Sequence, residues 1–95
     1  MAKVILVVNY EVEPNKREEY LSLIEELKKG YADSKMAKFE VYEIQGLQNN
    51  FMEIYTYNSE EEFRNSDDSQ FDDLVGQINS CLKADTVKSH TLRQI

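Results

Sequence analysis

In 95 residues there is no tryptophan, and cysteine, histidine and proline occur once each. The lone Cys81 excludes a disulfide within the chain. No apolar run approaches the roughly 20 residues that a membrane-spanning helix needs. The run from Val4 to Val8 is too short for a signal-peptide core, and no small-residue cleavage site follows it. Basic residues are outnumbered by acidic ones, 11 against 18. The resulting net charge of -7 argues against nucleic acid or an anionic membrane as partner, because phosphates would be repelled. Together these absences point to a cytoplasmic protein.

What is present is an ordinary folded composition, 41% apolar and 31% charged. The length sets a single domain, 1–95. A chain this short buries only about two-thirds of its unfolded surface, so its core is marginal and a partner subunit would relieve it.

The first strand is expected over 3–12, with Val4, Leu6, Val8, Tyr10 and Val12 on one face and Ile5, Val7 and Asn9 on the other. Both faces are mostly apolar, which places it in the middle of a sheet with both sides covered. Pro14 ends it, since proline cannot donate to a ladder. Asn15 is expected to cap a helix, with Glu18 at capping-box spacing, and Tyr20, Leu21, Ile24, Leu27 and Tyr31 form its buried stripe. Gly30 reads as its stop signal. Strands over 38–45 and 51–57 make a hairpin about a turn at 46–50. Ser59 caps a second helical region with Glu62 at the box position. The polar stretch 65–69 interrupts it, and Phe71, Leu74, Val75, Ile78 and Leu82 then form a stripe on a further helix. A more polar last strand spans 86–95. No linker, repeat or low-complexity segment divides the chain.

This order predicts an α+β, ferredoxin-like βαββαβ protomer. Its four-stranded antiparallel sheet carries two helical regions on one face, because right-handed crossovers put both there. The other face is left bare although strands one and three are apolar on both faces, Val4, Leu6 and Val8 against Ile5 and Val7, and Met52 and Ile54 against Phe51, Tyr55 and Tyr57, and a bare apolar face marks an association site. If it buries about 800 Å² per partner it reaches the size of a stable interface. A homodimer packed sheet to sheet is therefore expected.

The pattern Tyr57-x-Ser59-x-Glu61-x-Phe63, followed by Ser69-x-Phe71 and the apolar helix to Leu82, resembles the antibiotic biosynthesis monooxygenase-like family of the dimeric α+β barrel superfamily. The resemblance implies a barrel made by two sheets. It also implies, for some members, oxidation of polycyclic aromatic substrates with oxygen and neither metal nor cofactor, so no cofactor is expected. Other members degrade haem. Members commonly place a histidine or tryptophan seven positions after the serine of the joint, where this chain has Ser66. The histidine that haem-degrading members need would fall near Val75 or Gly76, and it is missing. Asn9 is comparable to an asparagine those relatives use, but alone it does not restore a haem site.

Candidate catalytic residues are His90 and Asn9. His90 titrates near ~6.5 when unperturbed, which suits a base at a pocket mouth. A base needs an orienting partner, and with none visible the sequence favours a solvated edge-strand side chain. Asn9 either holds a substrate carbonyl or ties to a neighbouring loop. Candidate substrate-binding residues are Tyr10, Tyr42, Tyr55, Tyr57, Phe63 and Phe71, which could line a pocket for a flat apolar ligand; the tyrosines read equally as ordinary strand packing. No metal site is expected. Glu60-Glu61-Glu62, Asp67-Asp68 and Asp72-Asp73 lack calcium-loop spacing and sit at helix beginnings, where the macrodipole favours negative charge. The functional expectation is a cofactor-independent monooxygenase acting on small aromatic or quinol-like molecules. The alternative is a non-catalytic small-ligand-binding or assembly protein of the same fold.

Overall fold

The computed structural model of the chain describes residues 2–95. Four strands, β1 (Val4–Glu11), β2 (Lys38–Glu43), β3 (Asn50–Tyr57) and β4 (Lys88–Arg93), form one antiparallel sheet in the order β2-β3-β1-β4. The helices are α1 (Arg17–Ser34), α2 (Glu60–Asn65) and α3 (Asp72–Asn79), the last preceded by a 3-10 turn at Ser69–Phe71. This is the βαββαβ order, with β1 and β3 paired at the centre.

Alternation decides which side chains are covered. In β3 the burial pattern alternates strictly, with Phe51, Glu53, Tyr55 and Tyr57 buried beneath the helices. On β1, Val4 and Tyr10 are buried on that side, and Val12 beyond its end is fully buried. From α1 come Tyr20, Leu23, Ile24, Leu27 and Tyr31, and from the second helical region Phe71 and Ile78. Tyr31 stacks on Phe71 and on Phe39, with ring centroids 4.7 and 5.1 Å apart, and meets Tyr55 edge-on. Such aromatic pairs contribute about 0.5–1.5 kcal/mol each beyond the area they bury.

Several local expectations change. Asn15 does not cap α1: Pro14 starts a 3-10 turn over Pro14–Lys16, and the helix proper begins at Arg17 with no side-chain cap. Gly30 does not stop α1 either. The helix runs on to Ser34 and ends at Lys35, whose φ of 58° is the left-handed stop. Gly30 instead leaves a notch for Phe71; a Cβ there would stand 2.4 Å from the ring's Cε1. Leu21 and Val75 are exposed rather than buried, and Leu23 joins the stripe of α1. Ser59 does cap α2, its hydroxyl accepting from the Glu62 N–H at 3.1 Å while the Glu62 carboxylate accepts from the Asn58 N–H.

The sheet face turned away from the helices carries Ile5, Val7 and Asn9 of β1, Met52, Ile54 and Thr56 of β3, Tyr42 of β2, and Lys88, His90 and Leu92 of β4, all on one parity of the ladders. No helix of the described residues is long and apolar enough to cross a membrane.

Candidate active site

Strand alternation forces one acidic side chain into the core. Glu53 lies on the parity of Phe51 and Tyr55, and only 6% of it is exposed. A buried carboxyl requires hydrogen-bond partners. Tyr55, two residues on and therefore on the same face, donates its hydroxyl to Glu53 Oε1 at 2.5 Å. Tyr10, on β1, donates to Oε2. Tyr20, from α1, shares a 2.6 Å hydrogen bond with the Tyr10 hydroxyl. Because the Tyr10 proton is committed to Glu53, Tyr20 is the donor in that second bond. Three phenols thus direct their protons toward one carboxylate.

Burial and hydrogen bonding act on Glu53 in opposite senses. Burial dominates and raises its pKa above the ordinary carboxylate value, while the bonds from Tyr10 and Tyr55 pull it back. The same burial, beside the same carboxyl, raises the phenol pKa values of Tyr10 and Tyr55 far out of reach, so both remain neutral donors.

The cluster faces a cavity of about 150 Å³ between sheet and helices. Its floor is Tyr10, Glu53, Tyr55, Leu27 and Ile78, all buried. Val75 and Asn79 of α3 and Val87 before β4 are exposed and form its mouth. Val8 and Leu82 complete the walls, and no cationic side chain lines it. A carboxyl held in an apolar recess with a raised pKa is suited to accept a proton from a ligand and return it.

The remaining candidates lie elsewhere. Asn9 is on the opposite face of the sheet from Tyr10, across the ladder from Met52 and Lys88. It therefore lies apart from the tyrosine cluster and from the cavity. His90 pairs with Val7 on that same outer face and is exposed, so it does not stand at the mouth of this cavity. Tyr42 is 53% exposed on the outer face and donates to Glu40 at 2.7 Å. Tyr57 and Phe63 pack edge to face with centroids 5.1 Å apart, away from the cavity, and Phe71 fills the Gly30 notch. Of the residues expected to bind substrate, Tyr10 and Tyr55 line the cavity. Ser66 turns its hydroxyl back to the Phe63 carbonyl at 2.7 Å, which closes α2. Burial also pushes the Cys81 thiol pKa up, with Glu19 adding to it, the setting of an unreactive thiol. Among the described residues no group of three or more acidic, histidine or cysteine side chains could hold a metal ion.

Glu53 is the residue that sequence reasoning passed over. Its signal was present: a lone charge on the apolar parity of a strand, two positions from a tyrosine on either the same strand or its ladder neighbour.

No protein-family model and no curated protein sequence matches the chain. Solved structures do. A conserved protein from Methanosarcina mazei is 16% identical with a TM-score of 0.85, covering 100% of this chain and 95% of its own. A protein from Caulobacter crescentus, provisionally called an antibiotic biosynthesis monooxygenase, is 12% identical with a TM-score of 0.84 over 99% of this chain and 91% of its own. SnoaB, a cofactor-independent oxygenase from Streptomyces nogalater, is 13% identical with a TM-score of 0.77 over 95% of this chain and 90% of its own. The chain has the fold of structures called antibiotic biosynthesis monooxygenases, as its sequence pattern implied.

Proposed function

We propose that the protein is a cofactor-independent monooxygenase of small aromatic or quinol-like molecules, with Glu53 as its base. The observation that carries this reading is the buried Glu53 carboxyl, bonded by two phenols, at the floor of an apolar cavity. The fold shared with a cofactor-independent oxygenase supports it as an analogy.

In this reading Glu53 takes the hydroxyl proton of a bound phenol. The resulting anion is electron-rich at the ring carbon opposite the oxygen, and dioxygen bonds there. Loss of the hydrogen on that carbon with cleavage of the O–O bond leaves a second carbonyl, and the other oxygen atom departs as water. Phenol plus dioxygen gives quinone plus water, so the substrate supplies all the electrons. Glu53 then gives its proton back to the departing oxygen. The Tyr20–Tyr10–Glu53 chain lowers the cost of the carboxylate before the proton arrives.

Oxygen uptake with a panel of phenols and hydroquinones tests this. Glu53→Gln should lower the rate by about 10²–10⁴-fold, the usual worth of a general base. Asn9→Ala and His90→Ala, on the far face of the sheet, should leave it unchanged. No uptake with any compound, or full activity in Glu53→Gln, would rule the mechanism out.

The bare sheet face supports a second element of the proposal, a homodimer. Ile5, Val7, Met52, Ile54 and Leu92 lie together on that face, and a twin of the same chain would cover them.

A further inference from the structure

We propose that the cavity above Glu53 admits one ring only, entering between Val75 and Val87 as a neutral hydroxyl compound of the phenol class; this rests on Glu53 being the group that meets the ligand. Size is the first argument. A cavity of about 150 Å³, lined by aliphatic and tyrosine side chains besides Glu53 and Asn79, takes a molecule of benzene size. A second fused ring would have to stand in the mouth, among the exposed Val75, Asn79 and Val87.

Charge is the second argument. No lysine, arginine or histidine lines the cavity, while a carboxyl lies at its floor. A benzoate or a phosphate ester would bring a second negative charge into an apolar recess with nothing to balance it. A neutral ligand carries no such penalty.

Hydrogen-bond capacity is the third. A carboxylate has about four acceptor positions, and Tyr10 and Tyr55 take one on each oxygen. Acceptor positions therefore remain for a ligand O–H. The Tyr55 hydroxyl donates its hydrogen bond to Glu53, so its oxygen can accept from the ligand but not donate to it. The site thus asks for a donor, and a hydroxyl on a single ring provides one. Benzene itself would fill the space but leave the acceptors unused.

Binding of benzene, phenol, benzoate and 1-naphthol, measured by calorimetry without oxygen, tests the inference on the full chain. Phenol should bind at least tenfold more tightly than benzene, benzoate or 1-naphthol. In Glu53→Gln the preference for phenol over benzene should shrink severalfold. Trimming the mouth in the Val75→Ala/Val87→Ala double variant should raise the affinity for 1-naphthol relative to that for phenol by at least severalfold. Equal or tighter binding of 1-naphthol or benzoate by the unaltered chain would overturn the inference. Phenol binding with this selectivity but no oxygen uptake would uphold the single-ring site and sink the oxygenase reading instead. Oxygen uptake with two-ring quinols alone would do the reverse.

Discussion

Glu53 sits where an apolar side chain would be the ordinary choice, and its neighbours show how the charge is accommodated. Tyr55 and Tyr10 each spend a hydroxyl on it, and Tyr20 supports Tyr10 from α1. Tyr55→Phe removes a donor that lowers the Glu53 pKa. The acidic limb of the activity profile should then move to higher pH, read from rate against pH. Stability has its own sign. Because the folded-state pKa of Glu53 is raised, the neutral carboxyl favours folding, and that contribution is complete below the unfolded value. It is lost as pH rises through the raised folded value. Urea unfolding should therefore show the unaltered chain losing stability relative to Glu53→Gln across that interval. A constant difference between the two would show that Glu53 titrates alike folded and unfolded. Gly30 makes a second residue-scale case. Alanine normally stabilises a helix interior by about 1 kcal/mol over glycine. Here its Cβ meets Phe71 at 2.4 Å, and forcing the ring aside costs about 1–3 kcal/mol. Gly30→Ala should lower the melting temperature, and Gly30→Ala/Phe71→Leu should recover part of the loss.

Between elements, polar clasps hold the helices to the sheet at their ends. Arg17, in the first turn of α1, reaches Glu43 at the end of β2 with bonds of 2.6 and 2.8 Å, and donates to Asn49 in the hairpin loop at 2.9 Å. Its guanidinium also lies 5.5 Å from the centroid of the Phe51 ring. The Arg17 bonds, with the Asn49 N–H, hold the Glu43 carboxyl down to about 2. A lowered pKa gives the opposite sign to Glu53. The clasp contributes fully above the unfolded carboxylate range and is lost as pH falls toward about 2. Arg17→Met should flatten the acid side of the stability curve, measured by thermal unfolding between neutral and acid pH. At the other joint, Ser59→Ala removes the α2 cap and should cost about 1 kcal/mol in chemical denaturation. An unchanged midpoint would mean that α2 is held by the Tyr57–Phe63 contact alone.

At the scale of the molecule, the helices cover one sheet face and leave the other bare. The helices bury Val4, Tyr10, Phe51, Tyr55 and Tyr57, whereas Ile5, Val7, Met52 and Ile54 on the opposite face stay partly accessible and Leu92 is 49% exposed. A pair of sheets burying about 800 Å² each would form a stable interface. Ile54→Lys, at the centre of that face, should convert a dimer into single chains in sedimentation velocity. If the unaltered chain already sediments as a single chain at micromolar concentration, the face is not covered by a twin.

The sequence by itself determined the order of elements, the central place of β1, the Ser59 cap and the two-sided apolar character of the sheet. All of these follow from local periodicity and capping chemistry, which act over a few residues. It also carried the parity of Glu53, since a strand's alternation is local. Only the tertiary structure decided that Tyr10 and Tyr20, ten positions apart and on different elements, meet at Glu53, because that contact depends on how α1 crosses the sheet. The same crossing made Gly30 a seat for Phe71 rather than a helix stop. The separation of Asn9 from Tyr10 follows from strand alternation and was local, whereas the place of His90 on the outer face depends on how β4 registers against β1.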